Sequence, residues 1–243
     1  MAFALFDLDQ TLLPWDTQAL FCNFVLRRHG WRRLYLPFYT AALPLRAVRL
    51  AGAGGLKRAF LSFLWRMPRA RLTALAGEFA EQIVPPLCYP EILVELEQHR
   101  AAGRTLVLNT ASPEFYATAI ARVLRFHHCC GTRIGQDGDP LPLLPRLAGL
   151  NNHHGEKLRR MAHLFPPESP EPLADSWAYS DSKADLPMLR RVAHPVAVNP
   201  DATLARIAAA ESWTILRPPR PQRGRWQFLR GSALQAAGLW NAP

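Results

Sequence analysis

Asp7-Leu8-Asp9-Gln10-Thr11 sets two carboxylates two positions apart at the end of an apolar run, Ala2 to Leu8. If that run is a strand, both acids leave its end on the same side. Left alone they repel, and one of them holds a proton. With Mg2+ and a phosphate between them, one stays ionised and attacks phosphorus while the other manages the leaving group's proton. Three more clusters suit the same chemistry. Asn109-Thr110-Ala111-Ser112 brings hydroxyls to the start of a helix, where they either bind phosphate or cap the helix. Gly155-Glu156-Lys157 brings an ammonium that would neutralise charge on a phosphoryl group. Asp181 and Asp185, in Ser180-Asp181-Ser182-Lys183-Ala184-Asp185, suit a hard cation and its waters.

Each cluster depends on an element that aims it. Apolar runs at 2–8, 104–108, 129–134, 176–180 and 195–198 read as strands, and the segments between them from residue 84 onward read as helices. Strands alternating with helices imply a parallel sheet covered on both faces, which binds ligands at the carboxyl ends of its strands. Residues 17–83 show helical spacing, interrupted at Gly30, Pro37, Pro44 and 51–55, and read as an insertion after the first strand. Gly103 should close a helix beginning at Pro90. The expected division is a core of 1–14 and 84–215, a helical basic segment of 15–83, and a basic, peripheral and partly mobile tail of 216–243.

The four clusters, in this order, resemble the haloacid dehalogenase (HAD) superfamily in its phosphoserine-phosphatase-like branch. The pattern is Asp-x-Asp-x-Thr, a Ser/Thr after the second strand, a Lys, then Asp-x-x-x-Asp, and the likeness spans roughly residues 2–215. The resemblance implies an α/β fold, a Rossmann-like parallel sheet with helices on both faces and a helical cap inserted after the first strand. It implies a Mg2+-dependent phosphatase with Asp7 as nucleophile and Asp9 as acid/base. Thr110, Ala111 and Lys157 would hold the phosphoryl group, and Asp7, Asp9 (through its carbonyl), Asp181 and Asp185 would hold or support the metal. Asp16 and Arg58 are the candidate substrate contacts, although Asp16 reads equally as a helix cap. The chain departs from the pattern at Gln10 and Ser180, where Gly is common, at Ala111-Ser112, where phosphoserine phosphatases have two glycines, and at Ala184, where they have Asn. These departures argue against phosphoserine rather than against the chemistry.

Charge refines the substrate. The net charge is +10, and from Thr17 to Gly77 there is no acid but eleven bases: Arg27, Arg28, Arg32, Arg33, Arg46, Arg49, Lys57, Arg58, Arg66, Arg69 and Arg71. A second basic run follows at Arg217, Arg220, Arg223, Arg225 and Arg230. Such asymmetry points to an anionic partner. Mixed with Trp31, Tyr35, Phe38 and Tyr39, it resembles the caps of bacterial phosphatidylglycerophosphatases of this branch. The leading expectation is therefore a lipid phosphate, or work at an anionic membrane surface. A small-metabolite phosphatase for phosphoserine or histidinol phosphate is the alternative, and a basic nucleic-acid- or membrane-binding protein is the alternative of another class. Nucleic acid is disfavoured, because a pure binder has no use for four acids at the sheet edge. The uncharged run Leu34 to Leu45 is too short to span a bilayer, which takes about 20 residues. Four cysteines without a secreted framework and no signal peptide place the chain in the cytoplasm, peripheral to the inner face of a membrane. Zinc at His127-His128-Cys129-Cys130 with His153 and His154 is rejected, because alternate side chains of a strand point apart.

Overall fold

The computed structural model describes residues 2–47, 52–135, 138–165, 173–222 and 224–241. Arg49 and Arg223 of the basic runs therefore lie outside the described residues. In chain order the elements are β1 (Phe3–Phe6), α1 (Thr17–Arg28), α2 (Leu36–Ala47), α3 (Ala53–Phe60), α4 (Arg69–Gln82), α5 (Pro90–Ala101), β2 (Thr105–Pro113), α6 (Glu114–Val123) and β3 (His128–Thr132). Then follow α7 (Gly155–Met161), β4 (Leu173–Ser180), α8 (Leu186–Leu189), β5 (Val192–Val198), α9 (Ala202–Ala210), β6 (Thr214–Leu216) and α10 (Arg225–Ala236). The sheet order is β3-β2-β1-β4-β5-β6, and every pairing is parallel.

β1 lies inside the sheet because all of its residues are apolar and it can be buried on both sides. Ala4 and Phe6 join one hydrophobic cluster with Tyr116 and Phe79, whereas Phe3 and Leu5 join another with Met161 and Leu204, as a period of two requires. The chain reaches β2 and β3 on one flank of β1 and β4 to β6 on the other. That reversal puts the end of β1 at a switch point, where ligands bind. Gly103 adopts φ +69 after α5, the left-handed stop expected there.

The structure departs from the expected elements in three places. Pro44 lies inside α2, and Ala53 to Gly55 begin α3, so these residues punctuate the segment less than expected. A proline removes one donor from a helix, but that loss alone does not end α2. β2 continues past Leu108 to Pro113 with an irregular register after Asn109. Finally, Thr214–Leu216 pairs with β5 as a sixth strand, and Arg225–Ala236 forms α10, which packs on α1.

His99 on α5 gives a stability test. Its Nε2 meets the Tyr179 hydroxyl at 2.8 Å, its Nδ1 meets Arg104 at 3.2 Å, and Phe6 and Trp177 flank its ring. Burial, and then Arg104, lowers its pKa from 6.5 to about 4. A group depressed on folding contributes stability above its unfolded value and loses it as pH falls toward the folded one. Stability should therefore fall as pH drops from 6.5 toward 4. In thermal melts, His99→Gln should flatten that part of the pH profile; an unchanged acid limb would assign the loss to other groups.

Candidate active site

β1 ends at Phe6, so Asp7 stands at the sheet edge, tied to β4 by its amide, which donates to the Tyr179 carbonyl at 3.0 Å. The first turn of α7 delivers Lys157 to it. Lys157 Nζ lies 2.6 Å from Asp7 Oδ1 and 2.6 Å from Asp185 Oδ2, and all three side chains are buried. Ser180, the last residue of β4, donates to the same Asp185 oxygen at 2.7 Å. Thr11 donates to Asp7 Oδ2 over a longer 3.4 Å.

Asp9 is held apart from this group. Its Oδ2 accepts from Ser112 Oγ at 2.7 Å and its Oδ1 from the Thr17 amide at 2.7 Å. The two acids thus have different environments: Asp7 faces an ammonium, and Asp9 faces neutral donors.

Two asparagines fix the spacing between β2 and α7. Asn152 Nδ2 approaches Asn109 Oδ1, the Thr110 carbonyl and the Cys130 carbonyl at 2.8–2.9 Å, and Asn109 Nδ2 donates to the Lys157 carbonyl at 2.9 Å. Thr110 is fully buried and accepts from the Ser112 amide at 3.0 Å. The Ala111 carbonyl accepts from Thr132 Oγ1 at 2.7 Å and from Lys57 Nζ at 2.5 Å.

Burial governs the electrostatics. It raises Asp7 well above the ordinary carboxylate range; Lys157 opposes the rise, and Asp185 and Asp9 add to it. Asp181 is pushed up to about 8 by burial and then by Asp7 and Asp185. Burial also raises Asp9, with Asp16 adding and the Ser112 and Thr17 bonds opposing. Burial alone would depress Lys157, but Asp7 and Asp185 outweigh it and hold the ammonium above its usual value. The centre therefore has more carboxylate than its one ammonium neutralises.

Beside Asp9 opens a cavity of about 480 Å³, lined by Asp16, Tyr39, Lys57, Phe60, Ser112 and Phe228 among others. Asp16 caps α1, its Oδ1 accepting from the Ala19 amide at 3.0 Å, and it also borders the cavity. Arg58 turns elsewhere, donating to the carbonyls of Leu144 and Pro145 and not lining this cavity; its neighbour Lys57 does.

A family model described as haloacid dehalogenase-like hydrolase matches residues 4–190. The chain belongs to the haloacid dehalogenase-like hydrolases. Histidinol-phosphatase of Neisseria meningitidis serogroup C (strain 8013) is 28% identical to this hydrolase over 222 residues, 88% of this chain and 97% of that protein. Phosphoserine phosphatase SerB1 of Mycobacterium tuberculosis is 30% identical over 218 residues, 88% of this chain and 70% of that protein. The crystal structure of a protein of unknown function from Bordetella pertussis Tohama I superposes with a TM-score of 0.68 at 28% identity, covering 88% of this chain and 97% of that one. With such relatives, this member of the family is a phosphatase-type hydrolase.

The site of this HAD-like chain also uses residues that sequence reasoning did not single out. Lys57 is one; Asn151, whose Oδ1 accepts from it at 2.7 Å, and Asn152 are others. Asn152 sits in a run, Asn151-Asn-His-His154, that offers no periodicity to read. Ser112 was legible as a phosphate-binding hydroxyl or a helix cap, whereas it donates to Asp9. His127 of the His-His-Cys-Cys run uses its Nδ1 to accept from the Leu106 amide, and Cys129 and Cys130 are free thiols on β3.

Among the described residues no three His, Cys, Asp or Glu side chains converge as a complete ligand set. The donors nevertheless fit Mg2+, which keeps several waters and takes only one or two carboxylates. The observation is the crowding: Asp181 is raised by burial and by Asp7 and Asp185, a condition that added positive charge relieves.

Proposed function

We propose that this hydrolase cleaves phosphomonoesters through an aspartyl-phosphate on Asp7, with Mg2+ as cofactor. The observation that carries the proposal is the buried Asp7–Lys157–Asp185 group with Asp9 held separately by Ser112 and Thr17. Asp7 and Asp181 would hold the ion with the Asp9 carbonyl, and Asp185 would support it. When bound, the ion neutralises phosphoryl charge and lets Asp7 remain ionised.

The chain's own groups account for the rest. An Asp7 carboxylate oxygen bonds to phosphorus as the ester P–O bond breaks, and Asp9 protonates the departing oxygen. A carboxyl raised by burial keeps the proton that this step needs to a higher pH than an ordinary carboxyl does. Asp9, now ionised, takes a proton from water, whose oxygen attacks phosphorus and frees Asp7 and inorganic phosphate. Lys157 and the Thr110–Ala111 backbone steady the phosphoryl oxygens. The Gln10 side-chain nitrogen is buried without a protein partner, a donor that an anionic ligand would satisfy.

The cavity supports a small substrate. Its volume of about 480 Å³ suits a single metabolite. Asp16 offers a carboxylate to an amine, while Tyr39, Leu56 and Phe60 offer apolar surface to the body. An amine-bearing phosphomonoester with a planar or apolar body, of which histidinol phosphate is the first candidate, fits these features. A second reading, a lipid phosphate at an anionic membrane surface, is supported by Trp31, Leu34, Phe38 and Leu43, which stand exposed in the segment that lacks acids. Among the described residues no helix is long and apolar enough to cross a membrane.

Phosphate release should be measured from p-nitrophenyl phosphate, phosphoserine, histidinol phosphate and lysophosphatidate, each with Mg2+ and with chelator. Release that needs Mg2+ and is fastest with histidinol phosphate is the expected result. A tenfold preference for lysophosphatidate would transfer the proposal to the lipid reading, and no Mg2+-dependent release would overturn both.

A further inference from the structure

The family match ends at residue 190, yet one wall of the cavity comes from beyond it. After β6 the chain crosses the catalytic edge of the sheet under polar ties. Asn199 Nδ2 donates to the Pro218 carbonyl at 2.9 Å, Arg220 to the Asn199 carbonyl at 3.0 Å, and Gln222 to the Pro14 carbonyl at 3.2 Å. The chain then forms α10, which packs along α1.

The far end of α10 is latched more firmly than its start. Tyr35 donates to the Ala236 carbonyl at 2.6 Å, and Arg33 donates to the carbonyls of Ala237 and Gly238 at 2.8 and 3.0 Å. Asn23 and Trp240 exchange two bonds, each 3.1 Å, and the Trp240 ring meets Trp15 edge-on. Gly238, at φ +69, lies so close to α1 that an added Cβ would fall 2.4 Å from Leu26 Cβ. The segment is thus tied to the core at one end and to the inserted helices at the other.

Between these ties, Phe228, Ser232 and Ala236 line the cavity beside Asp9. They recur every four residues and so share one face of α10. Phe228 has a second exposure. It also lines a separate cavity of about 430 Å³ with Gln10, Asp181, Asn199 and Arg220. Phe228 is therefore shared by the linings of two chambers at the catalytic edge.

We propose that residues 218–222 and 224–240 form a fixed strap over the active site, and that Phe228 on α10 is the specificity-determining wall that limits how long a leaving group the enzyme accepts. This inference rests on the phosphatase reading, because it takes the chamber beside Asp9 as the leaving-group side. A short leaving group fits between Asp9 and the Phe228 ring. A longer one meets the ring, and only with the ring removed could it extend into the second chamber. Ser232 and Ala236, being small, keep the near chamber open along the rest of that face.

The test compares wild type, Phe228→Ala and Phe228→Trp with a short and a long aryl group. The turnover probes are p-nitrophenyl phosphate and 4-methylumbelliferyl phosphate. The binding probes are the non-hydrolysable benzylphosphonate and naphthylmethylphosphonate, titrated with Mg2+ present. Phe228→Ala should raise the long-over-short ratio, in kcat/KM and in affinity, about tenfold. The change should lie in KM, with kcat for the short ester within about twofold of wild type. Phe228→Trp should shift the ratio the other way. Ratios unchanged in both variants would overturn the wall, as would wild type binding neither phosphonate. If the phosphonate ratio shifts but wild type hydrolyses neither ester, the wall stands and the proposed reaction falls.

Discussion

Asp7→Asn is expected to lower kcat about 10⁴-fold or more, since an amide oxygen cannot take the phosphoryl group as a carboxylate does. The same substitution should make the protein more stable at alkaline pH. Asp7 is raised on folding, chiefly by burial, with Asp185 and Asp9 adding to the shift even though Lys157 opposes it. A group raised on folding contributes stability below its unfolded pKa and loses it as pH rises through the folded value. An ionised Asp7 is therefore a cost to the fold at pH 8. Asparagine keeps the shape, removes the charge and leaves Lys157 paired with Asp185. The melting temperature of Asp7→Asn should exceed that of wild type by more at pH 8 than at pH 5, both measured without Mg2+. Activity within tenfold of wild type would remove Asp7 from the role of nucleophile.

Lys157→Met should be damaging in both respects. The ammonium is the charge that Asp7 and Asp185 share at 2.6 Å, inside a site closed to water. Removing one partner from such a buried group typically costs about 3–5 kcal/mol, because the remaining charges are left without compensation. Loss of a donor aimed at developing phosphoryl charge typically costs about 10²–10³ in kcat. The two effects separate by pH. Without the lysine, which opposes the rise of Asp7, Asp7 should take up its proton at higher pH, so the stability deficit should shrink on acidification while activity does not return. A Lys157→Met melt that matches wild type at pH 7.5 would mean that the acids do not depend on this ammonium.

Most of the fold was legible because its strands are short, apolar and bounded by Gly, Pro or acid. Phe3 to Phe6 reads as a buried strand in any parallel sheet, although the apolar run extends to Leu8 and the strand stops before Asp7. The four candidate clusters were legible for a related reason, since strand ends and helix starts aim the residues beside them. The parts that escaped depend on contacts far apart in the chain. Lys57 looked like one base among eleven, and only its approach to Ala111 and Asn151 sets it apart from Arg58 next to it. Asn152 bonds to residues 22 to 43 positions away, a distance no local pattern reports. The tail was read from its Pro and Arg content as peripheral, although Phe228, Ser232 and Ala236 already had helical spacing. Its anchor, Trp240, makes its bonds to Asn23 across 217 positions.

The pairing of α1 with α10 also dictates an order of events during synthesis. α1 leaves the ribosome early and α10 near the close of the described chain, so their contact cannot form until nearly everything between them has been made. β1 to β5, Lys157 and both motif acids can be in place before then. A nascent chain at that stage would have its nucleophile assembled but its chamber open to water along one side. Selectivity would then arrive after reactivity.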